Sequence, residues 1–118
     1  MTDDHHPTDA QKHTDKIREL NDALRTTLIG GEITLTAWVA MLDSDTIRAI
    51  TQAMQAYNNF TDDNDPCGEH DFGVFSVNDH EVIFKIDYFD TSLKYHSPDP
   101  SDPEVTIRVL TIMLAEEY

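Results

Sequence analysis

Val82, Phe84, Ile86 and Tyr88 fall on every second position of Glu81–Phe89, with Ile83, Lys85, Asp87 and Phe89 between them. A repeat of two is the repeat of an extended strand, whose successive side chains point to opposite faces. One face is apolar and calls for full cover, while the other mixes apolar and charged residues and calls for partial cover. Phe72–Val77 alternates in the same manner just upstream, and Asn78-Asp79-His80 between the two runs is good turn chemistry. A β-hairpin is therefore expected here, and the rest of the chain has to supply its cover.

The first half supplies helices. Ile17, Leu20, Leu24 and Leu28 recur at steps of three and four, which predicts an amphipathic helix from Asp9 to Leu28. Lys16, Arg18, Glu19, Asp22 and Arg25 lie off that stripe and are expected in solvent, and Gly30-Gly31 is expected to end the helix. Glu32–Thr36 alternates and is β-branched, the mark of a short strand. Ala37–Leu42 is a compact apolar connector with Trp38 expected in the core. Asp43 or Ser44 is a natural N-cap for a helix over Asp45–Tyr57, whose Ile47, Ile50, Met54 and Tyr57 share one face.

Past the hairpin, Ser92–Tyr95 is a candidate edge segment, and Ser97–Pro103 is a proline-set loop. Asp102, Pro103 and Glu104 have the cap, first-turn proline and first-turn acid of a helix start, which predicts a helix over Pro103–Glu117. A strand is the rival reading, because the segment is rich in β-branched residues and apolar nearly all round. The element order is then α-β-α-β-β-α: an α+β fold with a small antiparallel sheet of three or four strands packed by helices. Residues 1–8 are expected to be a flexible N-terminus and residues 9–118 one domain.

The formal net charge is -15 on a chain of 118 residues. Residues 60–118 hold 14 acids against 3 bases, and residues 1–59 hold 9 against 5. Such a balance argues against direct nucleic-acid binding and against anionic membranes, both of which require lysine and arginine. It argues for solubility or for a basic partner. Apolar runs stay well short of a membrane span, and Met1–Pro7 has neither the basic nor the apolar region of a signal peptide. Cys67 is the one cysteine, which excludes an intrachain disulfide and suits a reducing cytoplasm.

The charge is densest in Phe60–Gly73, where Asp62, Asp63, Asp65, Glu69 and Asp71 surround Pro66, Cys67, Gly68 and His70. A stretch this acidic is expected to sit in water, bind a cation or face a partner. It is not an EF-hand: counted from Asp63, Cys67 stands at the fifth position and Val74 at the twelfth, where that loop needs oxygen ligands. Glu69, His70 and Asp71 are weak metal candidates, since nothing in the sequence requires further ligands to converge on them. Cys67 and His70 lack the oxyanion-hole motif of a nucleophile and base, and no cofactor is expected. Asp87 is unusual within a strand and has Lys85 or Arg108 as candidate partners, while Asp90 suits a capped turn.

Five blocks of this chain resemble an uncharacterised bacterial family, a domain of unknown function found on plasmids and other mobile DNA of alphaproteobacteria. They are Ile17–Arg25, Asp65–Gly73, Lys85–Asp90, Ser97–Pro100 and Arg108–Ala115. The resemblance implies no activity. It implies a genomic setting in which small acidic proteins often act against host defence systems.

The leading expectation is a small acidic binding protein that inhibits or modulates a nucleic-acid-binding defence protein, such as a restriction or CRISPR effector. Its contacts would be Asp62, Asp63, Asp65, Glu69, Asp71, Asp87 and Asp90, with Phe72 and Tyr88 as apolar anchors. Alternatives are a plasmid-encoded adaptor or regulator, dimeric through the mixed hairpin face, and a metal-dependent hydrolase using Glu69, His70, Asp71 and Asp87.

Overall fold

A computed structural model describes residues 8–118. It holds one four-stranded sheet in the order β1-β4-β3-β2, with three helices. The strands are β1 (Glu32–Leu35), β2 (Phe72–Val77), β3 (His80–Phe89) and β4 (Ile107–Leu114). The helices are α1 (Asp9–Thr27), α2 (Ala37–Ala40) and α3 (Ser44–Ala56). The expected flexible segment, residues 1–8, lies outside the described residues except for Thr8. Thr8 caps α1 in a reciprocal pair with Gln11.

The hairpin forms as expected, with Asn78 and Asp79 both at positive φ in a two-residue turn and His80 already paired with Val77. The segment expected as a closing helix is instead β4, followed by a short 3-10 turn at Ala115–Glu117. Its helix-start residues are used locally: the Asp102 carboxylate accepts from Glu104 N at 2.9 Å and closes a turn rather than opening a helix. Beyond that turn the β-branched run prevails. β4 is central, antiparallel to β3 on one side and parallel to β1 on the other, so the sheet is mixed rather than antiparallel. A central strand with both faces occupied is apolar nearly all round, which is also how a buried helix looks.

Register places Val82, Phe84 and Ile86 beside Leu114, Ile112 and Leu110 on one face, with Leu35 next to Ile112. The helices cover this face through Leu24, Val39, Ile50 and Met54, all with no exposed surface. The other face holds buried Ile83 and Met113, the paired rings of Phe72 and Tyr118, and an ion pair between Lys85 and Asp87 at 2.5 Å. Three further expectations change. Trp38 is 57% exposed, because the single turn of α2 turns Val39 inward instead. The left-handed residue that ends α1 is Leu28, while Gly31 lies where any Cβ would meet the Arg108 carbonyl and Leu24. Ser92–Tyr95 is a loop gathered by Asp90, and only His96 bridges to Phe89.

Candidate functional site

The acidic loop between α3 and β2 is fastened to one face of α1. Arg18, Asn21, Asp22 and Arg25 are spaced three, one and three apart, so they form a single polar stripe on that helix. Arg18 donates to the Gly68 carbonyl at 3.0 Å, and Asn21 Nδ2 donates to the Glu69 carbonyl at 3.0 Å. The Asp22 carboxylate lies 2.9 Å from His70 Nδ1. Arg25 donates to the carbonyls of Met54, Gln55 and Tyr57, the last at 2.7 Å, and so satisfies the open C-terminal end of α3. Arg18, Asp22 and Arg25 were expected in solvent, yet Arg25 is 5% exposed, and Asn21 between them is fully buried.

Beneath the loop lies a buried polar network centred on Asn21. Its Oδ1 accepts from Arg108 Nε at 2.8 Å, and its Nδ2 also donates to the Tyr88 hydroxyl at 2.7 Å. Tyr88 in turn donates to Glu69 Oε1 at 2.7 Å. Arg108 is 2% exposed, donates to the Pro100 carbonyl and lies over the Tyr88 ring at 5.1 Å. Burial, and then the bond to Glu69, push the Tyr88 phenol well above its ordinary range. Burial also pulls the Arg108 guanidinium below its ordinary value. Asp71 is pushed up, first by burial and then by the neighbouring Glu69 carboxylate.

The residues expected to face a partner therefore divide. Asp62 and Asp63 are exposed. Asp65, expected to face a partner, is 9% exposed, and both its oxygens accept from the His70 backbone N–H at 3.3 Å. That bond helps hold His70 at a φ of 56°, with its ring stacked on Phe60 at 3.8 Å. Glu69, Asp71 and Tyr88 come together, with Tyr88 committed to the internal network. Asp87 pairs with Lys85, not with Arg108, whose guanidinium turns to Asn21 and Pro100. Asp90 organises its own loop, and Phe72 lies against Tyr118. Among the described residues, no group of three or more His, Cys, Asp or Glu side chains is placed to hold a metal ion. The weak metal candidates take different partners: Glu69 takes Tyr88, and His70 takes Asp22 and Asp65.

Composition gave no hint of Asn21 or of the buried arginines. The spacing of Arg18, Asn21, Asp22 and Arg25 was the available signal, since a polar stripe beside an apolar one can face a loop as well as water.

Fold and loop define a small acidic α+β protein with a clamped surface loop. The chain belongs to the family described as protein of unknown function (DUF3768), which matches residues 35–117. The match takes in the acidic loop and most of the sheet and leaves α1, with the block Ile17–Arg25, outside it. No curated protein and no solved structure matches the chain.

Proposed function

We propose that this chain is a small acidic binding protein, encoded on mobile DNA, that inhibits or modulates a nucleic-acid-binding defence protein of its host. A restriction enzyme or a CRISPR effector is the kind of target meant. The observation that carries this reading is the excess of 14 acids over 3 bases in residues 60–118. The burial of Arg25 and Arg108 adds to it, because two of the eight bases are withdrawn from the surface. A surface of this sign attracts a basic channel quickly, and the attraction weakens with salt. The single exposed cysteine accords with a reducing cytoplasm, and no helix among the described residues is long and apolar enough to cross a membrane.

The test is capture from host lysate with the chain as bait, washed at low and then raised salt. Captured proteins are then challenged with duplex DNA. A stoichiometric nucleic-acid-binding protein, released by salt and displaced by DNA, is the expected result. A bait that retains no such protein at low salt refutes the reading.

A further inference from the structure

The acidic loop offers little free docking surface beyond the exposed Asp62 and Asp63, because its Gly68 and Glu69 carbonyls and its Asp65, His70 and Glu69 side chains are committed to holding it in shape and against α1 and Tyr88. A second region has no such commitment. Trp38 is 57% and Met41 83% exposed, and with Leu42 and Leu114 they line an apolar cleft of about 440 Å³ where α2 meets the end of β4. Leu114 also borders an adjoining cleft of about 320 Å³, whose walls include Asp79, Glu81 and Glu116. Neither lining contains a lysine or an arginine. All these residues fall inside the matched segment 35–117.

We propose that this composite of apolar cleft and acidic rim is the docking surface, and that its occupant is a cationic amphipathic segment of a partner protein. An aliphatic or aromatic anchor of that segment enters beside Trp38 and Met41, and its lysines and arginines meet Asp79, Glu81 and Glu116. Charge complementarity selects this occupant: an acidic or neutral apolar segment fits the cleft but gains nothing from the rim. Tryptophan and methionine suit the anchor site, the first as a large rigid contact and the second because its flexible side chain adapts to what enters. The inference rests on the basic-partner reading above and gives it a location.

Trp38 is the sole tryptophan of the chain, so its emission reports directly on the cleft. The probes are a synthetic amphipathic peptide of leucine and lysine and a companion with every leucine replaced by serine, followed by fluorescence and by calorimetry. The leucine–lysine peptide is expected to shift Trp38 emission to the blue in a saturable, salt-weakened manner, and the serine–lysine peptide to leave it unmoved. Met41→Asp, at a largely exposed position, is expected to weaken binding by about tenfold or more, the loss typical of an interface anchor. Glu81→Lys and Glu116→Lys are expected to weaken it as well. Unmoved Trp38 emission, or wild-type binding by Met41→Asp, overturns the proposal. Calorimetric heat with silent Trp38 then retains the basic partner and places it elsewhere, whereas no heat with either peptide counts against both readings.

Discussion

Asn21 is the residue whose loss the structure makes most costly for its size. Replacement by leucine keeps the number and branching of the side-chain heavy atoms and removes the hydrogen bonds to Arg108 Nε, the Glu69 carbonyl and the Tyr88 hydroxyl. At about 1 kcal/mol net for each, the bonds alone amount to about 3 kcal/mol. Arg108 raises the figure, because its remaining hydrogen-bond partner is the Pro100 carbonyl and its guanidinium is shut away from water. An orphaned charged donor adds roughly 1–2 kcal/mol, for a total near 4–5 kcal/mol out of the 5–15 typical of a domain. The assay is urea unfolding at neutral pH followed by circular dichroism. With a slope of about 1–3 kcal/mol per molar, the midpoint should fall by roughly 1.3–5 M. A loss below about 0.5 kcal/mol for Asn21→Leu at unchanged slope refutes the reasoning, because it means that the network contributes almost nothing.

Asp71 carries a folded-state pKa above the ordinary 3.8, so its ionised form costs stability at neutral pH, and that cost disappears as pH falls below 3.8. Asp71→Asn should therefore raise the melting temperature at neutral pH and lose that advantage in acid; equal melting at neutral pH contradicts it. Asp99 behaves oppositely: the Ser101 hydroxyl, and then His13, hold it down to about 2, so its contribution is present above 3.8 and lost as pH falls through about 2. In a carboxyl NMR titration, His13→Ala should raise the Asp99 midpoint while leaving it below 3.8, because Ser101 remains; an unchanged midpoint removes His13 as a cause. Gly31→Ala should destabilise by roughly 1–3 kcal/mol in thermal melts, since the new Cβ collides with the Arg108 carbonyl, which as backbone cannot swing aside, as well as with the Leu24 side chain. A wild-type melt shows instead that the backbone yields there.

The hairpin, α1, α3 and β1 were legible because each repeats with one clear period and is bounded by its own caps or turns. β4 was not, since Val105, Ile107, Val109 and Ile112 satisfy a strand and a buried helix alike, and Asp102-Pro103-Glu104 tipped the local balance the wrong way. Only the neighbours on both sides, β1 and β3, decide between the two. Trp38 misled for a different reason: size and apolarity predict burial on average, but a four-residue helix can turn only one side inward, and Val39 takes it. The polar contacts of α1 were hidden because Asn21 and Arg25 are ordinary surface residues until Glu69 in the loop, 48 residues on from Asn21, and the end of α3 at Tyr57, 32 residues on from Arg25, fold over them.

The parallel pairing of β1 with β4 has a consequence for how the chain is made. β4 is the strand that β1 and β3 share, yet it is translated after both. Until it leaves the ribosome, β1 has no partner in the sheet and β3 presents one bare edge, so docking waits on contacts far apart in sequence and is intrinsically slow. Unfinished chains with open strand edges readily join one another. Here each carries a strong excess of negative charge, and mutual repulsion between nascent molecules keeps those edges apart until the missing strand arrives.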